Sequence, residues 1–449
     1  MRLLFTAVLV IAAAFPQTRR MLFLSHSAGF RHGSIPTARE TLERIGARNG
    51  IAVTASEDVS FLRPENLSQF DAVFFFTSGE LPIDGAQRAA LLDFVRSGKG
   101  FGGAHSASDT LYTWPEYGEL IGGYFDGHPW THAARVEVED PAHPATRTLP
   151  VSFTLLEEFY QHRAFDRSRV RVLMTLDTRT VDLRAPGVNR TDEDFALAWC
   201  RPYGAGRVFY TALGHFDETW RDARVETMLE GAVRYLAGIE EGDCSPRPAP
   251  QPRIKGIARI APGGVYELLG EELTAGATMF ANPAHWSTRL AGVSVRIAGE
   301  VAPLAYAAPQ QINFRAPWDL RLGDAVEIAV TVGNQRLAST PARVVEALPR
   351  ILAVTQSPGA LTVWVTGLGA LYPGTPLGEP SIFSVLSPTA APVAARLDGA
   401  EAPVLFAGAA PGTVGLYQVN VAAAALAPGE HEVEIRAAGE AARFAFRTP

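Results

Sequence analysis

Lys99-Gly-Phe-Gly-Gly-Ala-His-Ser-Ala-Ser-Asp109 is the stretch on which the reading of this chain turns. A short apolar strand ends in small residues, a single histidine follows, and further small residues open a helix. Two glycines and two alanines around His105 leave little side-chain bulk. A sharp strand-to-helix turn needs that economy, and it pushes its central side chain out over the C-terminal edge of the strand. In an open α/β sheet ligands bind outside that edge, so His105 marks the centre of a candidate site. The competing reading makes Gly102 and Gly103 packing residues and His105 a hydrogen-bonded core histidine.

Working outward, residues 20–240 alternate strand and helix patterns. Met21–His26 is a short apolar run, and Pro36–Arg48 has helical spacing with Ile35, Leu42 and Ile45 on one side. Ile51–Ala55 alternates like a strand. Asp71–Thr77 is continuously apolar, as a strand buried on both faces should be. Asp84–Ser97 reads as a helix with Ala90, Leu91, Phe94 and Val95 inward. Phe195–Cys200 and Arg207–Ala212 read as a strand pair joined by a Gly-containing turn, and Arg224–Leu236 as a closing helix. This rhythm predicts an α/β domain with a parallel sheet flanked by helices.

Cys244–Pro252 holds four prolines in nine residues, which places a stiff linker over residues 241–253. Beyond it, alternating runs sit between Gly and Pro turns, and an internal repeat is visible. Val295-Arg-Ile-Ala-Gly-Glu-Val-Ala-Pro303 recurs as Ala395-Arg-Leu-Asp-Gly-Ala-Glu-Ala-Pro403, and Gln311-Ile-Asn313 as Gln418-Val-Asn420. Two copies, 254–348 and 349–449, predict two all-β immunoglobulin-like sandwiches in tandem. No catalytic set stands out in that half.

At 449 residues two or three domains are expected. A formal net charge of −7 without a basic block argues against nucleic acid as a partner. Arg2, the apolar run Leu3–Phe15 and Ala12-Ala13-Ala14 read as a signal peptide over residues 1–18. The run is short for a bilayer span and no other long apolar segment follows, so the expectation is an exported protein (periplasmic, extracellular or at the cell surface) without an integral membrane segment after cleavage, with a retained anchor as the alternative that Arg19 and Arg20 leave open. The two cysteines, Cys200 and Cys244, have no metal-site spacing. A bridge between them is open to an exported chain and would staple the linker to the first domain.

Eight of the ten histidines precede the linker: His26, His32, His105, His128, His132, His143, His162 and His215. His26 and His32 follow the first strand, His105 the fourth, and His215 the last, so these loops can converge on one sheet edge. Phe125–His132 adds a loop with His128, and Leu156–Tyr160 brings Glu157, Glu158 and Tyr160 together. Trp199 and Trp220 are candidates for stacking on sugar rings, and Arg31 and Asp109 for binding substrate. Imidazoles, a carboxylate and aromatics suit general acid–base work on a polar substrate. His105, His215, Glu158 and His32 are the candidate catalytic set, with His128 and Tyr160 beside them. His143, His162 and Glu157 read as structural or solvated. Three histidines and a glutamate also form a donor set for a divalent metal such as zinc, although no local His-Glu-x-x-His spacing supports it.

At these residues the first domain resembles the trehalose-utilisation (ThuA-like) family, over roughly residues 20–238. The resemblance rests on Gly29-Phe-Arg-His32, Gly103–Asp109, Gly122-Gly-Tyr-Phe-Asp-Gly-His-Pro129, Glu158-Phe-Tyr160, Ala198-Trp199 and Gly204–His215. It implies a flavodoxin/glutamine-amidotransferase-like fold in which His105 takes the place of the nucleophilic cysteine, so glutaminase chemistry is not expected. It further implies a role in the conversion of glycosides such as trehalose, with 3-keto intermediates as one route. The tandem β half resembles a C-terminal domain of secreted bacterial proteins, through Ala302-Pro303, Gln311–Phe314, Thr366–Gly369 and Gly415–Asn420.

The expectation is therefore an exported enzyme acting on glycosides or 3-keto-glycosides. His105 would remove a proton made acidic by the keto group, and Glu158 or His215 would protonate the leaving oxygen. The rivals are a non-catalytic sugar-binding module and a metal-dependent hydrolase.

Overall fold

The computed structural model describes residues 18–247, 252–332, 335–424 and 426–448. The signal segment lies outside these except for Thr18, as does part of the linker. The chain forms two compact units. One holds the residues through Ile121 with Pro202–Tyr210 and Gly214–Gly242, and the other holds Gly122–Arg201, Thr211–Leu213 and the residues from Asp243 on. The division therefore does not coincide with the linker, because Gly122–Arg201 groups with the strand-rich C-terminal half.

In the first unit β1 (Arg19–Leu24), β2 (Ile51–Ser56), β3 (Ala72–Phe75) and β4 (Gly100–Ala104) are parallel, in the order β2-β1-β3-β4. Leu24 pairs with Phe75 and Phe75 with Gly103, so the three strands end in register and release their loops at one edge. Helix α1 (Ile35–Arg48) starts with a proline in its first turn and buries Ile35, Ala38, Leu42 and Ile45, one stripe at helical spacing. The four-residue α2 (Pro64–Leu67) precedes β3. Helix α3 (Gly85–Arg96) begins with a capping box in which Asp84 and Gln87 each bind the other's backbone N–H. Glycines in β4 admit neighbours: a Cβ on Gly102 would lie 2.5 Å from the Phe74 ring, and one on Gly100 2.3 Å from the Leu236 carbonyl oxygen. Helix α4 (Pro115–Ile121) closes this segment.

The second unit contributes β5 (Tyr124–Phe125), β6 (Trp130–Val138), β7 (Ser152–Phe159), β8 (His162–Arg163), β9 (Arg171–Leu176) and most of β10 (Ala196–Tyr203). Here β6 pairs antiparallel with β7 and β9, and β9 antiparallel with β10. The expectation of a parallel sheet therefore holds for β1–β4, whereas β6, β7, β9 and β10 pair antiparallel, a geometry that needs no crossover helix between neighbours. β11 (Gly206–Thr211) lies next to β4, followed by α5 (Asp217–Arg221) and α6 (Ala223–Leu236).

Residues from Arg253 on form two five-stranded and two four-stranded sheets around two apolar cores, one on Leu268, Val295, Ile312 and Val330, the other on Leu361, Val363, Val419 and Ile435. The sequence repeat has a structural counterpart. Ala298-Gly299 and Asp398-Gly399 are two-residue hairpin loops with positive φ at both positions. Gln311 Nε2 donates to Asn313 Oδ1 at 2.7 Å, and Gln418 Nε2 to Asn420 Oδ1 at 2.9 Å. Among the described residues no helix is long and apolar enough to cross a membrane.

Candidate functional site

His105 follows β4 directly and has a left-handed backbone, φ 47°. A non-glycine residue pays about 1–3 kcal/mol for that conformation and keeps it only where its surroundings insist. Here the Tyr210 hydroxyl donates to the His105 carbonyl at 2.8 Å and the Ser108 hydroxyl at 3.2 Å, with the two hydroxyl oxygens 2.7 Å apart. Burial pushes the Tyr210 phenol well above its ordinary range, so it remains a donor. A Cβ on Gly103 would sit 2.9 Å from that of Ala107, which is why the motif is built of small residues. The elbow opens a single 3₁₀ turn, His105–Ser108, and not the helix expected there; the next helix begins at Pro115.

His32 lies in the loop after β1, which backbone bonds lace to its neighbours. Ala28 N and Gly29 N donate to the Ser78 carbonyl at 2.8 and 3.1 Å, and Gly79 N to the Asp109 carbonyl at 2.7 Å. His215 follows β11 at Gly214, φ 140°, whose carbonyl accepts from Ser34 Oγ and Trp220 Nε1, both at 2.8 Å. Trp220 stacks on Phe76, and Phe76 packs against His32 and His105.

These loops bring the three imidazoles together. Ring centroids are 4.6 Å apart for His32–His105 and 5.3 Å for both His32–His215 and His105–His215. His105 Nε2 and His215 Nδ1 are 3.3 Å apart, and Ser106 Oγ is 3.3 Å from His32 Nδ1. One nitrogen of each ring lies within 4.8 Å of one from the others. An ion bound tetrahedrally at 2.0–2.1 Å places its ligand atoms about 3.3 Å apart, so the donor set fits a divalent metal. His32 and His105 are buried and His215 is half-buried.

Arg31 is exposed and forms a two-pronged ion pair with Glu57 at 2.7 and 2.8 Å, which holds the Glu57 carboxyl below its usual range. Asp109 is half-buried and accepts from the Tyr112 hydroxyl at 2.7 Å; burial raises its carboxyl above the usual range. Trp220 is 1% exposed and Trp199 0%, so neither presents a face to a ligand, and the stacking role expected of them is corrected. Both serve packing instead: Trp199 lies edge-on to His162 and against Phe165.

The second unit gathers the other candidates. His128 Nδ1 is 3.2 Å from Glu158 Oε1, and Phe125, His128 and Tyr160 stack nearby. Glu157 is buried, with Oε1 accepting from the Glu158 N–H at 2.8 Å, and is therefore not solvated. His143 is buried beside the Cys200–Cys244 disulfide, its Nε2 3.5 Å from Cys244 Sγ. His162 is buried as well.

Ser106, Ser108, Tyr210 and Phe30 escaped the sequence reading as parts of this site. The two serines flank His105 in the opening motif, and Phe30 is two residues before His32. For Tyr210 no local signal existed.

Residues 20–236 match the family described as trehalose utilisation (ThuA). No protein of curated function matches the chain. Among solved structures, a ThuA-like protein from Bacteroides uniformis is similar at 24% identity and a TM-score of 0.43, covering 52% of this chain and 95% of the other. A ThuA-like protein from Parabacteroides merdae is similar at 17% identity and a TM-score of 0.40, covering 50% and 91%. A β-galactosidase from Bacillus circulans is similar at 12% identity and a TM-score of 0.33, covering 67% and 41%.

Proposed function

We propose that His32, His105 and His215 hold a divalent metal ion and that the chain transforms a carbohydrate, a glycoside or its 3-keto form, at that centre. The observation that carries the proposal is the convergence of three imidazole nitrogens within 4.8 Å. Protonating two of the rings would set like charges side by side, and an ion takes the place of those protons. Three protein ligands leave a coordination position for water or substrate, the pattern of catalytic sites. The carbohydrate part rests on the description of the family that residues 20–236 match.

The bound ion would supply Lewis acidity toward a substrate oxygen. The chain's own residues do the rest. Ser106 Oγ lies 3.3 Å from His32 Nδ1 and would leave Nε2 as the ligand atom. Asp109 stands four residues beyond His105, and burial raises its carboxyl above the usual range, the direction that suits a proton acceptor. On a 3-keto glycoside Asp109 would take the C2 proton. The freed electron pair forms C1=C2 as the C1–O bond breaks, the aglycone leaves with a proton from solvent, and water then adds across the double bond, giving net hydrolysis. In the second unit Glu158 and His128 form a carboxylate–imidazole pair of the kind used in proton transfer. Export is part of the proposal and is supported by the Cys200–Cys244 disulfide, since such bonds persist in oxidising compartments.

A metal-free reading, with His105 and His215 sharing a proton across their 3.3 Å contact, is the alternative that this distance favours. Metal analysis of protein purified without chelator, with turnover of glycosides and 3-keto glycosides, separates the two. One ion per chain, lost in His105→Ala together with turnover, supports the metal centre. Full turnover in strong chelator supports the metal-free reading. Absence of turnover on every sugar of the panel would overturn the enzymatic reading.

A further inference from the structure

We infer that Phe30 is the stacking platform of a sugar subsite and takes the apolar face of a pyranose ring beside the histidine centre. The inference rests on the reading of that centre as carbohydrate-directed and adds the ligand's orientation to it. Phe30 is 64% exposed. The other large apolar side chains exposed among the described residues before the linker are Leu156 and Ile239, neither of them aromatic. Its ring lies edge-on to His32, with centroids 4.9 Å apart at 77°. Phe216 stands in a similar relation to His215 at 4.6 Å and is half-buried, so aromatic rings border two of the three histidines.

The exposure of Phe30 is not that of a ring on a loose loop. Ser78 Oγ donates to the Phe30 carbonyl at 2.7 Å, and Gly29 N donates to the Ser78 carbonyl. Gly29 and Gly79 approach so closely that a Cβ on Gly79 would fall 2.5 Å from Gly29 N. A rigid backbone that keeps an apolar ring in water, beside a polar histidine centre, forgoes burial it could otherwise gain. A sugar has the complementary surface: C–H groups on one ring face for the aromatic, and hydroxyls around the edge for polar partners. Asp109, on a segment laced to this loop through Gly79, and Arg31, next to Phe30 in the chain, offer an acceptor and donors for those hydroxyls.

The test uses the full chain with Phe30→Ala and Phe30→Trp. Saturation-transfer NMR with trehalose and with methyl α-glucoside reads binding; metal content and turnover are read in parallel. The inference expects sugar C–H saturation in the wild type, Kd or KM raised at least tenfold in Phe30→Ala with kcat within twofold, and recovery in Phe30→Trp. Metal content should be equal in all three. Unchanged binding and KM in Phe30→Ala would overturn the platform while leaving the metal centre standing. Phe30-dependent binding without metal or turnover would sustain the platform and overturn the proposed enzyme. Absence of binding of either sugar in the wild type would overturn the platform, while the proposed enzyme stands or falls with turnover on the full panel of glycosides and 3-keto glycosides.

Discussion

His105 Nε2 and His215 Nδ1 stand 3.3 Å apart although 110 residues separate them in the chain. The spacing comes from two turns with positive φ, strained at His105 and free of strain at Gly214, φ 140°, each pinned through its carbonyl by side chains that play no part in the chemistry. The site is thus built by holding backbone carbonyls, and the residues that hold them are where its assembly can be perturbed without removing a histidine.

Ser106 is the clearest case on the side-chain level. Its hydroxyl lies 3.3 Å from His32 Nδ1 and orients the ring. Outer-shell partners of metal-bound histidines are worth about 10–100-fold in metal affinity. Ser106→Ala should lower zinc affinity by about that factor in a competition titration while His105→Ala abolishes binding. Equal affinity in Ser106→Ala and wild type would show that His32 does not depend on it.

Tyr210 should matter for stability as well as geometry. Its hydroxyl and that of Ser108 satisfy the buried His105 carbonyl. Tyr210→Phe removes one donor and leaves the Ser108 hydroxyl without its closest partner, a loss of about 1–3 kcal/mol. Urea unfolding should show a lower midpoint with an unchanged slope. Metal affinity should fall too, because the strained His105 backbone loses its main restraint.

Much of this architecture could be read from the residues themselves, for reasons that differ by element. Asp71–Thr77 announced a strand buried on both faces, and the observed β3 is its centre. Asp84–Ser97 announced a helix through its inward Leu91, Phe94 and Val95, and the observed α3 lies within it. His105 was legible because glycine and alanine are costly to place together without a steric reason. Trp199 and Trp220 were misjudged because aromatic character does not say which side of a strand or helix faces the core. The antiparallel β6 and β7 escaped because Trp130–Val138 and Ser152–Phe159 interleave charged with apolar residues and carry no continuous apolar run like that of Asp71–Thr77. Tyr210 was invisible because its partner is a backbone carbonyl 105 residues away.

The disulfide carries a stability prediction. Cys200 and Cys244 close a loop with a separation of 44 residues, with Cα atoms 5.4 Å apart. Closure of a loop of that length removes chain entropy from the unfolded state worth about 4 kcal/mol. Cys200→Ser with Cys244→Ser should lower the unfolding free energy by roughly that amount, and dithiothreitol should do the same to the wild type only. A reductant effect of equal size in the double variant would place the sensitivity elsewhere.

Glu137 makes the pH dependence of stability predictable. It is 2% exposed, and neither carboxylate oxygen has a hydrogen-bond partner. Burial, reinforced by the charge of Asp177, pushes its carboxyl up to about 8. Burial also acts on Asp177, but the His285 hydrogen bond and Arg179 outweigh it and hold that carboxyl below its usual range, so the proton of the pair resides on Glu137. Arg289 and Ser287 complete the groups that face it. An acid whose folded value lies above its unfolded one stabilises the fold fully below the unfolded value near 4.5, and that contribution drains away as pH rises toward about 8. The slope is about 1.4 kcal/mol per pH unit inside that window. Thermal unfolding should therefore show a Tm that falls between pH 5 and pH 8, and Glu137→Gln, which keeps the shape and cannot ionise, should flatten that fall and be the more stable protein at pH 8. A Tm profile in Glu137→Gln parallel to the wild type would mean that the carboxyl is already ionised at pH 5 and that its neighbours neutralise it in the fold.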